Sequence, residues 1–338
     1  MRFELSDEQE MLRESIRGAL ARDATPARVR AWAESGEWSA FDELAAQQSW
    51  EEIGIAEEDG GQGGGLVELA VLFEELGRAA APSGRLLARC GGANLPSGRP
   101  PDEPGAFEVD GGLLTGRAEL VLDAPGAERL VIPVTSGETV ALWAVDAAHP
   151  GVTVQSRALL DATRRFADLE LEAVPAELLR EEDPSRLAAR AAVMVAAESL
   201  GLARAMLAMT VDYVGERVQF RVPVGSFQAV KHAAAQTLVE IEAAHSGVYY
   251  AAWAVEHGAG DALEHAWIAK AFATETAAKA ADTALFLHGA IAYTWEHDLQ
   301  LWFKRAKLNR ELLGPPGVYW DRVAGVLELS ADPVGSVA

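Results

Sequence analysis

The sequence predicts an α+β protein with an N-terminal helical domain, a small middle β domain and a C-terminal four-helix bundle. Three observations carry this prediction. Apolar residues recur at helical spacing over residues 1–88, and short apolar runs separated by turn residues fill 113–182. Long alanine-rich helical sequence occupies 183–338. The intervening stretch, 89–112, is rich in Gly and Pro and is predicted to be a linker.

Composition narrows the class of function. The net charge is -22 with a pI near 4.7, so no basic stripe for nucleic acid is expected. The sequence contains no run of about 18 apolar residues, so no membrane span is expected. The first residues lack the apolar core of a secretory signal, and Cys90 is the only cysteine. The histidines show no ligand spacing, so no metal site is predicted. These features indicate a cytoplasmic protein.

The N-terminal domain begins with a capping box. Ser6 and Gln9 stand three residues apart ahead of the first apolar positions at helical spacing. A second helical run covers 41–53, and a third covers 66–80. The glycine-rich stretch 57–65 between them has no strand before it and no lysine after it, so a phosphate loop is not predicted. We interpret it as a flexible connection between helices.

The bundle is predicted from four helical runs, two of which meet at a forced break. Val222-Pro223-Val224-Gly225 must interrupt the helix, because proline lacks an amide donor and restricts the residue before it. The break gathers Arg217, Phe220 and Gln228 near one bend. Arg offers a planar fork for phosphate oxygens and Phe a surface for a ring, so this bend could hold a phosphorylated, ring-bearing ligand. The four runs are 186–216, 224–257, 262–288 and 296–312.

The stretch from Glu216 to Gln228 closely resembles the Glu-Arg-x-Gln-Phe-Gly-x-Pro-Ile-Gly-x-Phe-Gln motif of the acyl-CoA dehydrogenases. The resemblance implies an arm that one subunit extends to the FAD of its neighbour. By position, Arg217 would contact the FAD pyrophosphate, Phe220 the adenine side, and Gln228 the phosphate–ribitol region. Arg221 stands where the family usually has glycine.

A second family motif, a Gln-x-x-Gly-Gly turn, would also contact the neighbour's FAD. In this chain the turn runs from Phe286 to Ala290, with Gly289 kept and phenylalanine in place of the glutamine. The run from Tyr293 to Asp298 (Tyr-Thr-Trp-Glu-His-Asp) is similar to a group of actinobacterial-type members. Gly289 is therefore included among the expected cofactor-binding residues.

The resemblance also shows what is missing. The family takes the substrate α-proton with a glutamate at one of two positions, and these positions fall on Leu313 and Ala191. Neither side chain accepts a proton, so no catalytic residue is predicted. Glu198 and Glu311 are the remaining candidates for an unrecognised base. The family's two further helices and Thr-Glu-Pro-Gly loop are replaced by 89–112, so no working flavin pocket is expected in this chain.

These features imply a non-catalytic subunit of an α2β2 acyl-CoA dehydrogenase that completes the FAD site of a catalytic partner. The acyl-CoA, for example a bulky steroid side-chain thioester, would bind on the partner, and electron-transfer flavoprotein would accept the electrons. Two alternatives stay open. One is a homomeric acyl-CoA dehydrogenase that uses Glu311 or Glu198 as its base. The other is a flavin-free scaffold subunit.

Overall fold

The computed structural model describes residues 4–103, 105–136 and 139–327 of the chain, so the outermost residues of the predicted first and last domains lie outside it. It confirms the predicted α+β architecture. The N-terminal domain has five α-helices, and the first begins at the predicted capping box: Ser6 Oγ accepts from Gln9 N, and Gln9 Oε1 accepts from Ser6 N. The helices are α1 (Asp7–Asp23), α2 (Pro26–Ser35), α3 (Ser39–Gln47), α4 (Leu66–Arg78) and α5 (Gly84–Gly91).

The middle domain is one antiparallel sheet, which has six strands in the described residues. The sheet is organised around the long last strand. Its first half pairs with the second strand on one side and the fifth on the other, and its second half pairs with the fourth. The strands are β1 (Phe107–Asp110), β2 (Leu113–Leu122), β3 (Arg129–Ser136), β4 (Thr139–Asp146), β5 (Val152–Arg157) and β6 (Phe166–Glu182).

The C-terminal domain is an antiparallel bundle built on one central helix. That helix packs against three others of its own domain and against α4 of the N-terminal domain, and it is buried along most of its length. In the described chain it is the one helix long and apolar enough to cross a membrane, but 72% of its apolar window is buried inside the protein, as expected of a core helix. The helices are α6 (Pro184–Glu216), α7 (Gln228–His257), α8 (Ala262–His288), α9 (Leu299–Glu311) and α10 (Pro316–Val326).

The structure corrects the predicted linker, 89–112, at both ends. Helix α5 continues to Gly91, and β1 (Phe107–Asp110) lies inside the stretch that was expected to be a loop. Strand β1 pairs in register with the start of β2, for example Glu108 with Thr115. The strand is only four residues long and follows a Gly/Pro run, so its sequence carries too little alternation to indicate a strand.

Candidate functional site

The predicted break between α6 and α7 is a short β-hairpin. Two strands, β7 (Val218–Gln219) and β8 (Val222–Pro223), pair with each other, and the two residues between them form the turn. Both turn residues have positive φ, 52° at Phe220 and 71° at Arg221. This conformation favours glycine, which gives a physical reason for the family's glycine at the second position. The hairpin, with the residues that join it to α7, is hereafter called the arm (residues 217–228).

The arm carries its predicted ligand groups on the surface. The Arg217 amide caps α6 by donating to the carbonyl of Tyr213 at 2.8 Å, and its own carbonyl accepts from Val224 N at 2.7 Å. The guanidinium of Arg217 has no ion pair among the described residues, and Gln228 is also exposed. Phe220 is 87% exposed. An exposed cation, an aromatic ring and an amide thus project from one bend.

The glycine turn at the end of α8 (286–290) lies at the same end of the bundle as the arm, and this end is hereafter called the pole. Tyr213, near the end of α6, stacks on His288, the last residue of α8, with ring centroids 4.6 Å apart. Gly289 follows with φ of 67°, and nothing lies within 4 Å of the side chain that a larger residue would add there. The structure therefore brings Arg217, Phe220, Gln228 and Gly289 to one pole; their contact with a cofactor stays a prediction.

This pole is also strongly aromatic. Phe286 is 81% exposed, Tyr293 73% and Trp295 75%. The ammonium of Lys304 lies over the Trp295 ring, 4.2 Å from its centroid. Sequence reasoning did not find the Tyr213–His288 stack, because the two residues are 75 positions apart and only the fold joins them. The aromatic residues Tyr293 and Trp295, which follow Gly289 closely in the sequence, were the one available indication that aromatic side chains gather here.

The two family base positions are apolar and closed to solvent. Leu313 and Ala191 are each 1% exposed. Leu313 has a φ of 60°, and its carbonyl accepts a hydrogen bond from the Tyr319 hydroxyl at 2.5 Å. A leucine and an alanine offer no proton acceptor, and both are part of the main apolar core.

The shortened segment 92–103 covers the corner that contains Leu313. The Ser97 carbonyl accepts from the amide of Gly314 at 3.3 Å, and Pro100 packs against that glycine. Farther along, Arg322 on α10 forms ion pairs with Asp102 at 2.7 Å and with Glu103 at 3.4 Å. The segment is thus fastened to the C-terminal domain. A thioester cannot approach Leu313 while these contacts hold.

Asn94 fastens the same segment to the sheet. Its amide nitrogen donates to the Leu122 carbonyl at 3.1 Å, and its amide oxygen accepts from Val131 N at 2.9 Å. Together with the contacts to α10, these bonds make 92–103 a packed bridge between the middle and C-terminal domains. The absence of a working flavin pocket in this chain stays a prediction.

Glu198 is the centre of a buried ionic cluster and is unsuited to be a base. It is 0% exposed, and it accepts hydrogen bonds from Ser83 at 2.5 Å, from Arg305 and Asn309 at 2.8 Å each, and from Arg164. Burial raises the pKa of Glu198, but the two arginines outweigh burial and lower it to about 2. A carboxylate so acidic and enclosed has no use as a proton acceptor for a substrate.

Glu311, the other candidate base, lies on the surface. Its side chain is 54% exposed and pairs with its neighbour Arg310 at 2.5 Å. Its exposure and its ion pair with a neighbour are those of a solvated surface charge. Among the described residues, no group of three or more His, Cys, Asp or Glu side chains is placed to hold a metal ion.

The chain was compared with known families and solved structures. Residues 6–93 match the acyl-CoA dehydrogenase N-terminal domain, and residues 186–327 match the acyl-CoA dehydrogenase C-terminal domain. Acyl-CoA dehydrogenase IpdE2 of Mycolicibacterium smegmatis is 36% identical over 92% of this chain and 96% of that protein. IpdE2 of Mycobacterium tuberculosis is 37% identical over 92% and 94%.

Solved structures agree with these matches. The Tcur3481-Tcur3483 steroid ACAD, solved as a variant, superposes with a TM-score of 0.83 at 26% identity, over 96% of this chain and 98% of that one. Glutaryl-coenzyme A dehydrogenase with bound glutaryl-CoA superposes with a TM-score of 0.86 at 21% identity, over 98% of each chain, and indicates the shared fold. The chain therefore belongs to the acyl-CoA dehydrogenase family.

Proposed function

We propose that this chain is the subunit without a catalytic base in an α2β2 FAD-dependent acyl-CoA dehydrogenase. It completes the FAD site of a catalytic partner chain through Arg217, Phe220 and Gln228. One observation carries the proposal. Both family base positions are buried apolar residues, whereas the arm that would reach a neighbouring cofactor is exposed.

The chemistry requires a division of labour between two chains. α,β-Dehydrogenation of a thioester needs a carboxylate within reach of the α-carbon, with its pKa tuned towards neutral pH. Leu313 and Ala191 are not carboxylates, and the segment 92–103 fills the corner beside Leu313. The proton transfer therefore belongs to a different chain, whose own carboxylate and open cleft are required.

The arm fits parts of FAD but not the whole of it. Arg217 offers a guanidinium that has no ion pair among the described residues, for a pyrophosphate. Phe220 offers a largely exposed aromatic ring, and Gln228 an amide that donates and accepts. When bound, the flavin supplies the acceptor for the β-hydride of the thioester. The residues of this chain bind and orient; Gly289, whose surroundings are open, allows a close backbone approach from the same pole.

The substrate proposal follows the relatives. A structure 26% identical to this chain is described as a steroid ACAD and is named for two gene products. We extend both properties to this chain: a second acyl-CoA dehydrogenase chain as partner, and a bulky steroid side-chain acyl-CoA bound on that partner. Electron-transfer flavoprotein is the proposed electron acceptor, and the cytoplasm is the proposed compartment.

The test is expression of the chain alone and together with a neighbouring acyl-CoA dehydrogenase gene product. We expect a colourless protein alone and a yellow heterotetramer with about half the flavin of a homotetramer. A yellow protein alone, bleached by an acyl-CoA, would favour a homomeric enzyme with another base and would refute the proposal. A heterotetramer whose flavin is unaffected by losing the arm's arginine would favour a flavin-free scaffold.

A further inference from the structure

A cavity of about 220 Å³ lies between the start of α6, the glycine-rich loop before α4 and the end of α7. Arg186 and Arg190 line it from α6. They are four residues apart on a helix, so both side chains lie on one face. Because the pole and the covered corner described above involve none of these residues, the cavity is separate from the proposed flavin arm.

The carboxylates at this cavity already have donors of their own. Glu182 pairs with Arg180 at 3.2 Å. Glu256 accepts from Val67 N at 3.3 Å, at the start of α4. A Cβ atom on Gly65 would lie 2.2 Å from a Glu256 oxygen, so glycine is required for this carboxylate to approach the loop. The carboxylate of Glu256 therefore holds the glycine-rich loop before α4 in place.

The two arginines have no such partners. The Nε of Arg190 is buried without a hydrogen-bond partner, and no ion pair forms at Arg190 or Arg186 within the described ranges. Burial lowers the pKa of Arg190. Arg190 is half-buried and Arg186 is exposed, and a guanidinium that is partly withdrawn from water without a hydrogen-bonding anion is unfavourable. The charge of Glu182 acts on Arg190 without forming an ion pair, so an anion from outside the chain would supply the acceptor that Arg190 Nε lacks.

We propose that this cavity binds a phosphate group, held by the guanidinium groups of Arg186 and Arg190. Two planar forks on one helix face match the oxygens of a phosphate, which accepts bidentate hydrogen bonds from arginine. Since a water molecule occupies about 30 Å³ in the liquid, the cavity has room for one oxyanion with a few waters. A larger ligand would reach in only with its phosphate.

The test uses the full chain, in the assembly in which it purifies, with orthophosphate as the probe and chloride at equal ionic strength as the reference. We expect phosphate to raise the thermal midpoint by about 2–4 °C. Arg190→Gln and, separately, Arg186→Gln should each weaken phosphate binding, measured by calorimetry, by about tenfold or more. Arg129→Gln removes the same charge from the exposed face of the sheet, where Arg129 pairs with Glu177, and should bind phosphate normally.

A second measurement separates binding from a structural role. Without phosphate, Arg190→Gln should leave the midpoint unchanged or raise it, because it removes a half-buried charge that has no ion pair within the described ranges. Adenosine 3′,5′-bisphosphate identifies the source: binding tighter than orthophosphate, lost in the Arg190 variant, indicates a nucleoside phosphate, whereas binding of orthophosphate alone indicates the free ion. An unchanged midpoint in phosphate, or an equal rise in wild type and Arg190→Gln, would overturn the proposal.

Discussion

Arg217 is the residue on which the proposed shared flavin site depends most. Its guanidinium is exposed and lacks an ion pair in the described chain, so its removal should cost the fold little. In a co-expressed heterotetramer we predict that Arg217→Ala weakens FAD retention about tenfold or more, because one charge-assisted contact to the pyrophosphate is lost. Flavin absorbance after dialysis against a series of free FAD concentrations measures this change.

Arg129→Ala is the matched control, because it removes an arginine from the sheet surface. Equal flavin retention in wild type and both variants would mean that the arm does not reach a flavin. Loss of the tetramer in Arg217→Ala would show as a change in mass by light scattering.

Leu313 tests whether the missing base alone explains the absence of catalysis. We predict that Leu313→Glu on the isolated chain, supplied with excess free FAD, gives no acyl-CoA-dependent flavin reduction, because the Ser97–Pro100 stretch still covers this position. The variant should also lose about 3–5 kcal/mol of unfolding free energy, since it buries a carboxylate that has no partner. Urea unfolding measures the loss.

Leu313→Gln is close in size and carries no charge, so it should lose less stability than Leu313→Glu at neutral pH. The two variants should converge as the pH falls and the new carboxylate is protonated. Turnover of any acyl-CoA by Leu313→Glu without a partner chain would contradict the covered corner.

At the scale of elements, the arm contains local strain that a single substitution can relieve. Arg221 has a φ of 71°, in the left-handed region, where a side chain other than glycine costs about 1–2 kcal/mol. We predict that Arg221→Gly stabilises the chain by about 1 kcal/mol after the extra freedom that glycine gives the unfolded chain is subtracted. Thermal unfolding measures the shift, and Arg221→Ala keeps the strain and should leave stability nearly unchanged. A lower midpoint for the glycine variant would mean that the arginine side chain anchors the arm.

Helices were predicted from the sequence more completely than strands. The predicted run 262–288 coincides with α8, since a long alanine-rich pattern with helical spacing needs no tertiary context to be recognised. The predicted end of the first bundle run at 216 was correct, and the predicted break near Pro223 was correct in kind, since the residues after Glu216 pair as a hairpin. Helix α7 begins at Gln228 rather than at the predicted 224, because Val224–Ser226 form a short 3-10 turn. Helix α10 (Pro316–Val326) was not predicted: it starts at a proline, which is favoured in the first turn but indicates a stop inside a helix.

Contacts between distant residues explain the rest of what the sequence could not reveal. Apolar and polar residues alternate in the sequence over 165–171, but strand β6 extends to Glu182, because its second half pairs with β4 and contains exposed leucines. Likewise, the motif residues of the candidate site were identified from the sequence, but their common pole depends on how α6, α7 and α8 pack. The sequence motifs therefore identified the candidate residues, whereas their arrangement in space is determined by tertiary packing.

At the scale of the whole molecule, the cluster around Glu198 joins all three units. Ser83 belongs to the N-terminal domain, Arg164 precedes the last strand of the sheet, and Arg305 and Asn309 lie on α9. Arg305 is also fully buried, and it pairs with Asp161 at 2.6 Å. Two buried cations and two buried carboxylates balance in charge, so removal of one member leaves the others uncompensated at the junction of the three units.

We predict that Glu198→Gln lowers the unfolding free energy at pH 7 by about 3–5 kcal/mol, the usual cost of removing one partner of a buried ion pair. Glu311→Gln is the matched control, because Glu311 is exposed and its one ion pair among the described residues is with its neighbour Arg310, and it should change stability by less than about 0.5 kcal/mol. Urea unfolding of each variant gives the comparison. An effect of Glu198→Gln no larger than that of Glu311→Gln would contradict a role in joining the units.

The same residue sets a specific acid dependence. The pKa of Glu198 is about 2 in the folded chain against an ordinary value of 4.5, so between these values the unfolded chain binds more protons. Its contribution is therefore complete above pH 4.5 and is lost as the pH falls towards 2, and it amounts to about 3 kcal/mol at 1.36 kcal/mol per pKa unit.

Other acidic groups titrate in this range too, so the informative quantity is the unfolding free energy of the wild type minus that of Glu198→Gln. Urea unfolding measures this difference from pH 6 down to the lowest pH at which the chain folds. The difference should be constant above pH 5 and shrink steadily below pH 4.5, because the unfolded wild type then takes up a proton while the folded chain keeps its charge. A difference that does not change with pH would mean that the pKa of Glu198 is the same in the folded and unfolded chains, and a difference that grows as the pH falls would mean that the carboxyl group is protonated in the folded chain.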